Sequence, residues 1–248
     1  MKQKSSAKFI VVMAVFVLTV ALAVLAIEPF LSEILAVEVV QPDATVMVTQ
    51  APLPEAPEEL CVTSIYVMEE NTKKITDIYI EVFHVGSDTV CYVDVPVDTK
   101  VNLSEDLYKS LQTYAPELPQ YLKLSNMAEG FSKEYGLTGC NRILSEVLGT
   151  SLKEYVGTDK ESLTAWLEAL KQEKTEVSFF EDYTSWLLHT SSSRSIEERW
   201  MYYESLWQVN SITTEIAPGS KEKDGYLISG KRSAELLQEL MLRVETEE

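Results

Sequence analysis

The chain has 248 residues and a mass of 28.0 kDa, which suits one domain or one domain with an appendage. Its formal charge of −18 and pI near 4.5 exclude a nucleic-acid binder, because recognition of polyphosphate needs a basic face. Hydrophobic residues make up 46%, which argues against global disorder, and 3 Cys with 2 His are too few for a zinc cluster or a disulfide scaffold.

Phe9 to Ile27 is an apolar run in which Thr19 is the one polar side chain. As a helix rising about 1.5 Å per residue it nearly spans a hydrocarbon core of about 30 Å. Lys2, Lys4 and Lys8 precede the run and Glu28, Glu33 and Glu38 follow it. Basic residues stay on the cytoplasmic side. The expected arrangement is a cytoplasmic tail over 1–8, a single-pass transmembrane anchor over 9–27 and an extracellular C-terminal body. A cleaved signal peptide is the competing reading, with Ala21, Ala23 and Ala26 as small-residue cleavage positions. Residues 28–248 carry 18 basic against 39 acidic side chains, so any phosphate must be held by a local pocket or a metal. Residues 28–59, with Pro42, Pro52, Pro54 and Pro57 among acids, read as an extended tether.

The folded domain is expected over 60–248. Cys61 to Met68, a polar turn, and Ile75 to His84 read as a hairpin, followed by a strand over TVCYVDVPV that Pro96 ends. These strands are apolar on both faces, which belongs to a sheet covered on both sides. Ser104 is placed to cap a helix over EDLYKSLQTYA, Ser125 to open another, and Thr138 to precede a third that ends at Gly149. SLKEYVGT follows as a strand, and Asp159 caps KESLTAWLEALK. Then come FFEDYTSWLLH, the loop TSSSRS, the helix IEERWMYYESLWQV, strands over SITTEIAP and GYLIS, and a closing helix over SAELLQELMLRV. The alternation predicts an α/β protein, an α/β/α sandwich with a central mixed sheet.

His84 and His189 have no metal-ligand spacing and read as structural. Cys61 and Cys91 fall on strands expected to be neighbours and are candidates for a disulfide. Trp200, Tyr203 and Trp207 form a stripe expected in the core. Asp77 opens one strand and Asp98 closes the next long one, so if the strands are neighbours both carboxylates can approach one sheet edge. Paired carboxylates with phosphate oxygens suit Mg²⁺, although both aspartates equally suit turn positions.

TDIYIEVFHVGSDTVCYVDVPVDTKVN resembles the opening of the LytR-CpsA-Psr (LCP) domain of bacterial cell envelopes, in which a strand ends in a Pro-Arg-Asp-Thr motif. Pro96, Asp98 and Thr99 match that motif, and CNRILSEVLGTSLKEYV resembles the family's next block. The resemblance covers residues 60–157 and is thin beyond them. It implies an α/β/α sandwich, transfer of glycopolymer from a polyprenyl-pyrophosphate carrier to peptidoglycan, Mg held by Asp77 and Asp98 as catalytic and metal residues, and phosphate-gripping arginines. Val97 stands where the motif has arginine, and SSSRSIEERW, with Arg194 and Arg199, is the one stretch resembling the later arginine block. Two functions follow: a glycopolymer phosphotransferase with a degenerate site, or a non-catalytic envelope module that binds a lipid-linked polymer or a partner. Pairing with Glu197 and Glu198 is the alternative role for the two arginines.

Overall fold

A computed structural model describes residues 60–69, 72–132, 135–172 and 174–246. The chain divides into two units, 1–49 and 50–248, and every described residue belongs to the second. The run Phe9–Ile27 and the proline-rich segment therefore lie outside the described residues. Among the described residues no helix is long and apolar enough to cross a membrane.

Strands β1 (Leu60–Met68), β2 (Ile75–His84) and β3 (Thr89–Asp94) form an antiparallel meander, with Val67 opposite Asp77 and Tyr79 opposite Asp94. β6 (Glu154–Thr158) pairs parallel with β1, and β8 (Ser211–Ile216) pairs parallel with β3. With β7 (Ser191–Ser192) on β6, the six-stranded mixed sheet has the order β7-β6-β1-β2-β3-β8. Two two-stranded antiparallel sheets stand beside it: β4 (Lys100–Asn102) with β5 (Tyr121–Lys123), and the hairpin β9 (Gly219–Glu222) with β10 (Gly225–Ile228).

The period of two sorts the strand residues into two apolar layers. Ile78, Ile80, Val82, Cys91 and Val93 pack against α1 (Glu105–Gln112), α2 (Gly136–Leu148) and α6 (Gly230–Thr246). Ile65, Val67, Phe83, Val90 and Tyr92 pack against α3 (Lys160–Ala169), α4 (Glu176–Leu188) and α5 (Ile196–Trp207). The sheet is covered on both sides, as its doubly apolar strands require.

Local chemistry sets the helix ends. The Ser104 hydroxyl accepts from the Leu107 N–H, the Asp159 carboxylate from the Ser162 N–H, and Gly149 closes α2 at φ 65°. Three expectations fail. Ser125 opens no α-helix and sits in a 3₁₀ turn, Leu124–Asn126, tied by the Leu124 and Ser125 N–H groups to Thr99 and Val97 carbonyls. α2 starts at Gly136, before Thr138. Cys61 and Cys91 cannot pair, because β2 separates their strands and they face opposite layers; none of the three cysteines forms a disulfide. Tyr203 and Trp207 are core residues, as expected of the aromatic stripe.

Candidate functional site

Two clusters of polar groups lie on the sheet face that α3, α4 and α5 cover. The first is at the end of the sheet where β2 begins and β3 ends. The Val95 N–H still donates to the Ile78 carbonyl (2.9 Å), so antiparallel pairing brings the start of β2 and the Pro96–Thr99 turn to one end. Thr99 donates both its hydroxyl (2.6 Å) and its N–H (3.1 Å) to the Pro96 carbonyl, which holds that turn tight. Asp77 is half-buried and accepts from the Thr76 hydroxyl at 3.0 Å, while Asp98 is exposed. The carboxyl that feels Asp77 is Asp94, two residues across the sheet: burial and then the negative charge of Asp77 raise its proton affinity. Tyr79 lies between them on the same face and is raised by burial and by both charges. Among the described residues no three His, Cys, Asp or Glu side chains converge as a metal site.

The second cluster surrounds Glu81, which is 2% exposed in the middle of β2. Burial raises its pKa. Opposing that, the Tyr202 and Tyr92 hydroxyls donate to its carboxylate, Tyr92 at 2.7 Å, and the Arg194 guanidinium adds an attractive charge. Arg194 donates to the Thr63 hydroxyl (3.0 Å), lies with Nε 4.0 Å from the Glu154 carboxylate, and stacks 4.2 Å above the Tyr202 ring. Cys61 borders this network, and burial pushes its thiol up despite Arg194, so it is not an activated nucleophile.

The predicted arginines are thus anchored within the chain, although Arg194 Nη1 and Arg199 Nε are buried without a hydrogen-bond partner. Arg199 is buried and donates to the Thr190 hydroxyl. Glu198 is taken by Ser195, whose N–H and hydroxyl complete a capping box with it. Arg194 meets the sheet at the rung of Thr63 and Glu81, four residues along β2 from the Val67–Asp77 rung, or about 13 Å. The fold brings Asp77 and the Asp98 turn to one end and sets the arginines away from it. Val97 is half-buried against the α1, α2 and α6 layer.

Sequence reasoning missed Glu81, Tyr92, Tyr202 and Thr63. The signal was present in TDIYIEVFH: an acid at an inward position of a strand apolar on both faces needs buried donors.

Next to the Pro96–Thr99 turn runs an open groove of about 860 Å³, framed by the exposed face of the β4–β5 strand pair. Lys100 and Lys123 stand opposite each other there, as do Asn102 and Tyr121, and Glu117, Asn126 and Glu129 complete its polar wall. Its volume falls in the usual range for small-ligand clefts, roughly 300–1,000 Å³. The Tyr121 ring is 72% exposed, Leu227 forms part of the lining, and the carboxylates balance the lysines.

Among solved structures the chain is similar to protein gbs0355 from Streptococcus agalactiae, with a TM-score of 0.54 at 6% identity over 75% of this chain and 88% of that one. The two share a fold. Lower scores relate it to TagT bound to LI-WTA (0.49, 9% identity, 80% of this chain and 96% of that one) and to TagV of B. subtilis (0.47, 11% identity, 75% and 98%). No protein-family model and no curated protein matches the chain.

Proposed function

We propose that this is a membrane-anchored, extracytoplasmic LCP-like protein of cell-envelope biogenesis that binds a polyprenyl-pyrophosphate-linked glycopolymer. The carrying observation is the juxtaposition of the Asp77–Asp98 sheet end with the groove that begins at Lys100. The groove offers an exposed aromatic ring, amides, carboxylates and ammonium groups with no excess of either charge. That mixture suits sugar hydroxyls, which both donate and accept.

Asp77 and Asp98 would hold Mg²⁺ together with the ligand's phosphates, since Mg²⁺ is commonly bound through one or two carboxylates and substrate oxygens. The donor set fits: both are hard oxygen ligands, and pairing of β2 with β3 brings Asp77 and the Asp98 turn to the same end of the sheet. The ion would neutralise pyrophosphate charge. Binding is favoured over transfer to peptidoglycan because Val97 replaces the motif arginine, and Arg194 and Arg199 are held inside the chain by Thr63 and Thr190.

The test uses the full chain in detergent micelles, with Mg²⁺ and a polyprenyl-pyrophosphate disaccharide analogue. Together they should raise the melting temperature, by a linkage of about 2.7 kcal/mol at a hundredfold excess over Kd. The folded variant Asp77→Ala, Asp98→Ala should lose that shift; if it keeps it, the reading is wrong. Protease added to intact spheroplasts should digest residues 60–248, and their protection until lysis would reverse the membrane orientation.

A further inference from the structure

The two edges of the central sheet differ. β7 is two residues long, so that edge offers almost nothing to pair with. β8 is six residues long, Ser-Ile-Thr-Thr-Glu-Ile, with Ile212 half-buried and the other five exposed. Natural edges are blunted by short strands, proline, lysine or bulges, and β8 has no proline or lysine. Its Thr and Ile residues are strong strand formers.

The backbone bonds show which groups this edge presents. The Ser211 N–H donates to the Asp88 carbonyl (2.9 Å) and the Ala217 N–H to the Asp94 carbonyl (2.8 Å). Alternate residues of a strand in a parallel ladder bond to the same neighbour. Ser211, Thr213 and Glu215 therefore turn toward β3, and Ile212, Thr214 and Ile216 turn their N–H and C=O groups away from it. The side chains of those same three residues share the face of Tyr92 and Asp94, by the register Val90–Ile212, Tyr92–Thr214, Asp94–Ile216.

We propose that β8 is a self-association edge: two copies of this chain pair β8 to β8, antiparallel, about a two-fold axis at Thr214, joining two six-stranded sheets into one. A two-fold axis perpendicular to the sheet keeps each face continuous. The register centred on Thr214 then sets Ile212 against the partner's Ile216, Thr214 against the partner's Thr214, and Ile216 against the partner's Ile212. All three outward residues of each copy form hydrogen-bonded pairs, and isoleucine meets isoleucine on one face. On the other face Thr213 meets the partner's Glu215, so the acids are not opposed. A second copy is the occupant because the strand complements itself in charge, shape and hydrogen-bond phase. Each copy carries a net charge of −18, so added salt should strengthen the pairing.

Light scattering of the full chain in detergent micelles, corrected for detergent, should give twice the 28.0 kDa chain mass at micromolar protein. Thr214→Pro removes an outward N–H and spares the β3 ladder, so it should give a monomer with an unchanged circular dichroism spectrum. Ile216→Lys places a charge on the edge and should do the same, and it decides the matter if the proline variant does not fold. In a Cys61→Ser background, Thr214→Cys should cross-link to itself with a short bis-maleimide, because Cα atoms of a hydrogen-bonded pair lie about 5.5 Å apart. A wild-type monomer at all concentrations would overturn the proposal. So would a dimer that survives Ile216→Lys, or cross-linking of Thr214→Cys to a protein of another mass and not to itself.

Discussion

Tyr202→Phe removes one hydroxyl and leaves the ring. The contacts of that ring with Phe83 (6.1 Å, 82°), with Tyr203 (5.1 Å, 75°) and beneath Arg194 (4.2 Å) persist, so the change removes only the bond donated to Glu81 and the long one (3.4 Å) accepted from the Thr63 hydroxyl. The Glu81 bond is to a buried carboxylate, and hydrogen bonds to charged groups contribute about 1.5–3 kcal/mol. At pH 7 the variant should be less stable by about 2 kcal/mol. The sign of the pH dependence follows from linkage. Burial raises the folded-state pKa of Glu81 above its unfolded value, so stability is lost as pH rises from the unfolded pKa through the folded one. Removing a bond that favours the charged form raises the folded pKa further and deepens that loss. Near pH 3, well below the unfolded pKa, the carboxyl is protonated in both states, and only a neutral hydrogen bond, about 0.5–1.5 kcal/mol, separates the variant from the wild type. Urea unfolding of the full chain in micelles at pH 3 and pH 7 measures both differences, with tryptophan fluorescence reporting on Trp166, Trp186 and Trp207 in the same layer. A penalty below about 0.5 kcal/mol at pH 7, or one equal at both pH values, would show that Glu81 is not held as a charged acceptor.

Gly139→Ala should lower the melting temperature although alanine is the better helix former, because its Cβ would sit 2.3 Å from the Phe131 ring; overpacking of about 1–3 kcal/mol exceeds a propensity gain of about 1, and Phe131→Leu should restore the loss. A rise in melting temperature would refute the packing argument. Val97→Arg should fold, its aliphatic stem replacing the valine contact and its head reaching water, and should tighten the pyrophosphate analogue by about 1.5–3 kcal/mol in calorimetric titration. Unchanged affinity in the folded variant would count against the proposed phosphate position.

Features set by a few adjacent residues were legible. Ser104 and Asp159 cap their helices because a short side-chain acceptor is the available partner for an orphan N–H, and Gly149 ends α2 because it needs no Cβ at φ 65°. The strands β1, β2 and β3 were legible from runs long enough to show apolar side chains on both faces. Strands of two to four residues, such as β4, β5 and β9, carry no usable period. Strand order was out of reach for a different reason: β8 joins β3 after more than a hundred intervening residues, and nothing local to Ser211–Ile216 names its neighbour. The cysteines show the consequence, since their separation by β2 and by a face depends on order and register together. Of the candidate site, the strand-end aspartates could be read from the hairpin. The destination of the arginines could not, because it depends on the buried charge of Glu81.

That dependence also bears on function. A guanidinium grips a phosphate best with exposed donors, and the unpartnered Nη1 of Arg194 is buried, with Thr63 on Nη2, Glu154 beside Nε and the Tyr202 ring beneath the plane. Moving Arg194 would leave Glu81 in the sheet without its nearest cation, and an uncompensated buried carboxylate costs several kcal/mol. Arg199 is similarly fixed beside Thr190 under α5. In this chain the arginines stabilise the layer that α5 closes, and the proposed ligand site lies at the start of β2 instead. There Asp77, the Asp98 turn and the balanced groove lie outside the buried network, so binding need not break any bond on which the core depends.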